Sequence, residues 1–409
     1  MESKQESKDI WLSKACTIFL ACLIAGGGLL EQAVFPGNTQ GPAAYSHVYQ
    51  LKQSLTGLLQ PGFHPKAVYS QPFVESSAQP VHNEKISAGQ TADMMKLGAD
   101  PTDQNTIISE LVPQAAEGKA SQPLFGDNNP IDFTFGVMPD TQFYSKFHPD
   151  IFRKTCQWFA DQHEALNLKY VFHLGDIVHN QESIAQWDHA DKALKILDDA
   201  RIPYGLLAGN HDVGLSSVDY RIYERFFGEK RYRFNPWYGG SYKNNRGHFD
   251  LIDAGGKKYI MLAMGWGISE KEVAWMNHIL HTYQDRTAIL YVHDYLFRNS
   301  KRTAQGQMLY DKVVRPNRNV RMVINGHTYG AAHRIDRMDD DRDGRADREV
   351  VQILVDYQDD HSGQGYIRVM GFDTTHKKVY IRTFSPYTGK THLFDNKKDN
   401  FEVDLDTTT

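Results

Sequence analysis

From Phe133 onward the chain alternates between two hydrophobic periods, and this alternation limits its fold more than any other feature. Phe133-Thr134-Phe135-Gly136-Val137-Met138 is a strand-like run closed by Pro139. Phe152, Cys156, Phe159, His163 and Leu166 then recur at four- and three-residue spacing, one face of an amphipathic helix. Tyr170 to Leu174 reads as a second strand. Ile184, Trp187, Ala190, Leu194 and Leu197 outline a second helix, and Tyr204 to Ala208 a third strand. Strand-helix-strand-helix-strand requires crossover connections, hence parallel neighbours. Tyr259 to Ala263, Thr287 to Val292, Val320 to Ile324 and Val350 to Val355 predict further strands. Ala254-Gly255-Gly256-Lys257 is a hairpin signal, and Tyr366 to Phe372 with Val379 to Phe384 flank a polar turn, so antiparallel pairing is mixed in. The expected architecture is α/β: a two-sheet α/β sandwich of mixed strands flanked by helices, with a β-rich C-terminal part.

That domain is expected over 131–395, followed by a tail at 396–409. Ahead of it, residues 36–130 are rich in Gln, Ser, Pro, Gly and Ala without period, the composition of a linker or loosely ordered arm. Ala15 to Leu30 is an apolar run behind Lys4, Lys8 and Lys14, the shape of a signal-peptide core. It predicts a signal peptide or N-terminal anchor at 1–35 and an exported protein (periplasmic, cell-surface or secreted), membrane-anchored if the segment is not cleaved. Cys16 and Cys22 lie in that run and Cys156 is alone elsewhere, so no disulfide scaffold is available. A net charge of -5 on 409 residues provides no bulk field for nucleic acid. No oligomeric state follows from these features.

Polar residues collect at the strand ends. Asp140-Thr141-Gln142 follows the first strand, Gly175-Asp176 the second, and Gly209-Asn210-His211-Asp212 the third. Thr287 to Val292 runs into His293, and Val320 to Asn325 into Gly326-His327. An α/β fold gathers its site at the carboxyl ends of its strands. Carboxylates mixed with amide oxygen and imidazole suit Zn, Mn or Fe. One such pair carries little information, whereas five in order at strand ends define a metal site.

The order D-x-Q, G-D, G-N-H-D, lone His and G-H over roughly Phe133 to Pro386 resembles the calcineurin-like metallophosphoesterases. Within them, Pro139-Asp140-Thr141-Gln142 is similar to secreted members with a P-D-T-Q motif. The resemblance implies a binuclear, metal-dependent hydrolase of phosphomonoesters or phosphodiesters that attacks with a metal-bridging hydroxide. It implies Asp140 and Gln142 on a first metal, Asp176 bridging, and Asn210, His293 and His327 on a second. His211 would be the acid or transition-state stabiliser, oriented by Asp212. Two positions depart from the family: Gln142 and Tyr329 stand where histidines are usual, both at the first metal. Either the first metal then binds weakly, or Tyr329 ligates as phenolate, or His333 substitutes; otherwise Tyr329 is a wall residue. These departures also admit an alternative, a catalytically weakened exported protein that binds metal or phosphate.

Three further features stand outside that set. His173 inside its strand reads as packed, and Tyr357 and Gln358 at the end of theirs as pocket lining. The aromatics and arginines of 232–246 read as a specificity loop. Asp339, Asp341, Asp343 and Asp347, with Gly344 between, match the opening of a calcium loop. A calcium-dependent surface module is therefore a third reading, although Val350 occupies the position of the usual glutamate.

Overall fold

The computed structural model describes residues 124–126, 129–358 and 363–405. The apolar N-terminal run, Cys16, Cys22 and the arm as far as residue 123 lie outside the described residues. Among the described residues the first elements are β1 (Phe133–Met138), α1 (Gln142–Phe147), α2 (Pro149–Gln162), β2 (Leu168–His173), α3 (Ile184–Asp199) and β3 (Tyr204–Leu206). The short helices α4 (Asn210–Val213) and α5 (Arg221–Phe227) lead to β4 (Tyr238–Tyr242), β5 (Gly247–Ala254) and β6 (Lys257–Met264). Then come α6 (Glu270–Thr282), β7 (Thr287–Val292), α7 (Ala304–Leu309), β8 (Val320–Asn325), β9 (Gly330–Met338) and β10 (Arg348–Asp356). The chain closes with β11 (Ile367–Asp373), β12 (Lys378–Phe384), α8 (Asn396–Asp399) and β13 (Phe401–Asp404).

These strands form two mixed sheets, ordered β13-β12-β11-β1-β2-β3 and β4-β5-β6-β7-β8-β10-β9. The β1-β2-β3 and β6-β7-β8-β10 runs are parallel, and the remaining pairs antiparallel. Strand alternation creates the layers. Phe133, Phe135 and Val137 join Tyr259, Ile289 and Ile353 in the core between the sheets. On the outer face of the first sheet, Val171 and Leu206 pack with Phe152 and Phe159 of α2 and Trp187 and Leu194 of α3. Beyond the second, Leu262, Leu290 and Leu354 pack with Val273, Met276 and Leu280 of α6. The result is the expected sandwich of two mixed sheets flanked by helices. Gly136 shows how tight the outer layer is, since a Cβ there would sit 2.4 Å from the Phe159 ring.

The predicted hairpin at 254–257 joins β5 to β6, with Gly255 and Gly256 both at positive φ, as a two-residue turn demands. Helix α1 was not foreseen, because six residues are too few to establish a period. Both outer domain limits also differ from expectation. Residues 396–404 are not a tail: β13 pairs with β12, and α8 packs beside it. At the other end, Phe125 of the expected arm is buried, with ring atoms 2.8 Å from where a Cβ on Gly371 would stand.

Candidate metal centre

Sheet register brings the polar strand ends to one rim. Met138 pairs with His173, and His173 with Leu206. In the second sheet Asn325 lies beside Val292 on one side and Leu354 on the other. The chain therefore leaves β1, β2 and β3 into Asp140, Asp176 and Asn210, and leaves β7 and β8 into His293 and His327. Glycines let these turns close in. A Cβ on Gly209 would lie 2.2 Å from Asp176 Oδ1, and one on Gly326 would lie 2.0 Å from Asp140 Oδ1. Asp176 and His327 themselves adopt left-handed φ values of 46° and 67°, strain of the kind that concentrates at functional sites.

One ligand atom from each of Asp176, His293 and His327 lies within 4.8 Å of the others. His293 Nδ1 contacts the Leu174 carbonyl at 2.8 Å. A carbonyl can only accept, so Nδ1 carries the hydrogen and Nε2 is turned into the cluster. There Nε2 stands 3.1 Å from Asn210 Oδ1, 3.3 Å from Asp176 Oδ1 and 3.2 Å from His327 Nδ1. On the other flank, Asp140 Oδ2 accepts the His327 backbone N–H at 3.0 Å, and Gln142 Nε2 donates to Asp176 Oδ2 at 3.4 Å. Asp140 Oδ1 and Gln142 Oε1 are buried without hydrogen-bond partners. Orphaned buried acceptors are costly, and a cation is what such oxygens lack.

The electrostatics point the same way. Burial would lower the pKa of His293, but the Asp176 and Asp140 carboxylates outweigh it and raise it to about 10. Burial and His293 together push His327 down to about 3. Against its own burial, Asp176 is held below the usual carboxylate range by His293 and His211. Asp140 is pushed well up, first by burial and then by the Asp356 charge. Negative charge is thus crowded where protein donors are few.

Asp356 is the residue that sequence reasoning missed. It closes β10 two positions beyond Leu354, opposite Gly330 at the start of β9, and is buried. Its neighbours Tyr357 and Gln358 drew attention instead. Gln358 accepts the backbone N–H of Phe143, next to Gln142, on its Oε1 at 3.0 Å. Tyr357 does not line the site. Its hydroxyl sits 3.0 Å from Thr383 Oγ1 and 3.2 Å from Asp399, within the C-terminal segment.

His211 is half-buried beside the cluster, its backbone N–H donating to Asp176 Oδ1 at 2.9 Å. Its Nδ1 donates to the His179 carbonyl at 2.9 Å, leaving Nε2 as the free nitrogen. The expectation that Asp212 orients this ring is corrected. Asp212 accepts the backbone N–H groups of Gly209, Ile177 and Val178 at 2.7–3.1 Å, bracing the loops of two strands. Burial and the Asp176 charge raise its pKa to about 8 despite those bonds.

The remaining expectations divide. Tyr329 packs its ring edge-on against Phe394 at 5.3 Å, and His333 stacks on Phe401 at 4.1 Å, three residues along β9 from its start. His173 is packed as expected, joining Thr141 Oγ1 at 3.0 Å to the Gly175 backbone N–H at 3.2 Å. In the 232–246 stretch, Arg246 is held by Glu224 at 2.7 Å and Tyr232 stacks on His248. Asp339, Asp341 and Asp347 do converge, all exposed. Asp343 is outside that trio, its Oδ1 accepting the Arg345 N–H at 2.8 Å, and Val350 is buried within β10.

Residues 133–330 match the family model described as calcineurin-like phosphoesterase. The chain is 46% identical over 279 residues to the uncharacterized protein YvnB of Bacillus subtilis (strain 168), covering 67% of this chain and 22% of that protein. It therefore spans about a fifth of the length of the curated relative it matches. Among solved structures it is similar to a dimetal phosphatase from Danio rerio, at TM-score 0.43 and 12% identity over 65% of this chain and 100% of the other. It is similar also to the purple acid phosphatase PPD1 of yellow lupin (Lupinus luteus), at TM-score 0.43 and 14% identity over 66% and 53%.

Proposed function

From a chain that carries a calcineurin-like phosphoesterase domain over residues 133–330, we propose a metal-dependent hydrolase of phosphate esters. The observation that carries this reading is the donor set at the sheet rim. Imidazole nitrogens of His293 and His327 face each other at 3.2 Å against Asp176, while Asp140 Oδ1 and Gln142 Oε1 lie buried and unpartnered beside them. Such a set fits two cations sharing Asp176. Asn210, His293 and His327 would hold one, and Asp140 and Gln142 the other. Asp356 adds a third carboxylate near Asp140 in place of the imidazoles that Gln142 and Tyr329 do not supply.

Bound there, a pair of cations supplies Lewis acidity toward the phosphoryl oxygens and an activated water at neutral pH. The chain supplies the rest. Asp212 and the His173 bridge hold the ligand-bearing loops at fixed separation. His211, with Nδ1–H tied to a carbonyl, would in its imidazolium form present Nε2–H for proton donation to the leaving oxygen. Tyr329, packed on Phe394, is assigned to the wall rather than to a metal.

Metal content measured together with turnover of p-nitrophenyl phosphate and its bis ester tests this reading. His293→Ala is expected to lose at least one metal per chain and essentially all activity. Full metal occupancy with retained turnover would overturn the site assignment. Bound metal with no turnover of either ester would favour the binding-protein alternative.

A further inference from the structure

A chain of rings leads outward from the proposed proton donor. His211 and His179 stack with centroids 5.0 Å apart and planes 25° apart. Phe143 follows His179 at 5.3 Å and 34°, and Phe147 follows Phe143 at 6.2 Å and 32°. The first step is stacked and the next two are tilted, so the rings form one continuous row from the imidazole outward. The inner end is fixed to the site, because Phe143 follows the candidate ligand Gln142 and His179 O accepts from His211 Nδ1. The outer end is open: Phe147 is 57% exposed, with Lys146 Nζ 4.8 Å from its ring centroid.

Helix α1 does not need these rings for its own anchoring. Gln142, Tyr144 and Ser145 are its buried residues, and Ser145 Oγ donates to the Ile177 carbonyl at 2.6 Å. Phe143 and Phe147, four residues apart, share the other face. A single exposed phenylalanine is ordinary on a protein surface. One that ends a row of rings leading from the candidate catalytic imidazole to solvent is different, because that row joins the metal centre to the surface.

Hydrolysis breaks the bond from phosphorus to the leaving alcohol, forms one to the oxygen of water, and delivers a proton to the leaving oxygen. If His211 donates that proton, the leaving alcohol lies against His211 and its neighbours. We propose that the His179–Phe143–Phe147 face is the leaving-group subsite, and that the preferred substrates are phosphate esters whose leaving alcohol carries a flat aromatic ring. Lys146 at the outer end provides a cation beside that ring. The proposal rests on the phosphoesterase reading above and adds its substrate class.

The test compares wild type with Phe147→Ala and Phe147→Trp on matched esters, after melting curves establish that the variants fold. A nucleoside 5′-monophosphate and ribose 5-phosphate share the same primary leaving alcohol and differ by the base. 1-Naphthyl phosphate supplies a ring that is not a base. Phe147→Ala is expected to lower kcat/KM for ring-bearing esters, relative to ribose 5-phosphate, by roughly 5- to 150-fold, the effect of losing one stacked ring. Phe147→Trp should restore it. A loss confined to the nucleotide would assign the subsite to a nucleobase, and a loss shared with the naphthyl ester to flat rings in general. Equal losses on all three esters would overturn the proposal and leave the phosphoesterase reading standing. No turnover of any ester by the metal-loaded wild type would remove both.

Discussion

At the residue scale, the candidate site is decided by which atom of each side chain is left over once its neighbours are bonded. His211 gives Nδ1 to the His179 carbonyl and His293 gives Nδ1 to that of Leu174, so each presents Nε2. His327 presents Nδ1 instead. The first two choices follow from nearby carbonyls, and all three are invisible in a motif such as Gly209-Asn210-His211-Asp212. They make a kinetic prediction. With Nε2 of His211 as the proton source, His211→Ala should slow esters of poor leaving groups by roughly 10²–10⁴-fold. Activated esters should lose less, since their leaving oxygen needs little protonation. A leaving-group series checks this, and equal losses across it would move His211 from proton transfer to phosphate binding.

At the scale of elements, a buried ion pair ties the C-terminal segment to β11, in addition to the pairing of β13 with β12. Arg368 on β11 and Asp399 at the end of α8 lie 3.5 Å apart, both fully buried. Asp399 also accepts the Leu393 backbone N–H at 2.8 Å and the Tyr357 hydroxyl at 3.2 Å. Removing one partner of a buried pair strands the other charge, which typically costs about 3–5 kcal/mol. Asp399→Ala should therefore destabilise the domain by about that much in urea unfolding, more than Asp399→Asn, which keeps an oxygen acceptor. A change below ~1 kcal/mol would mean that Arg368 finds solvent or another acceptor when Asp399 is gone. This clamp is not legible in the sequence, since residues 396–404 are polar and short, and their strand pairs with β12 across the turn of the chain.

At the scale of the whole molecule, the two sheets meet across a polar network as well as an apolar layer. Tyr170 donates to Asp250 at 2.6 Å, and its hydroxyl lies 3.0 Å from that of Tyr291, which in turn lies 2.7 Å from His248 Nε2. Burial raises Asp250 to about 8, against the Tyr170 hydrogen bond, and lowers His248 to about 3. A carboxyl whose folded pKa exceeds its unfolded value gives stability that is complete below the unfolded pKa near 4 and is lost as pH rises through the folded one. His248 changes protonation only below about pH 6.5, in the unfolded chain. Between pH 6.5 and 8 the melting temperature of the wild type should thus fall more steeply than that of Asp250→Asn. Parallel curves would place the proton of this network elsewhere.

What the sequence alone determined is whatever depends on periods and on short-range order. Alternating runs specified β1, β2 and the crossover helices, Gly255-Gly256 specified the hairpin, and the strand-end motifs named Asp140, Asp176, Asn210, His293 and His327 as neighbours. These were legible because a strand's direction carries its C-terminal residues to a shared rim whatever the sheet order. Only the tertiary structure decided the rest. Asp356 enters the site because β10 is inserted between β8 and β9, a placement that no local pattern encodes. Asp212 braces backbone rather than His211, and Tyr357 turns to Asp399 rather than to the site, because each hydroxyl or carboxylate goes to the nearest unmet partner. Partners of that kind are brought close by packing across distant segments, and their identity cannot be read from either segment by itself.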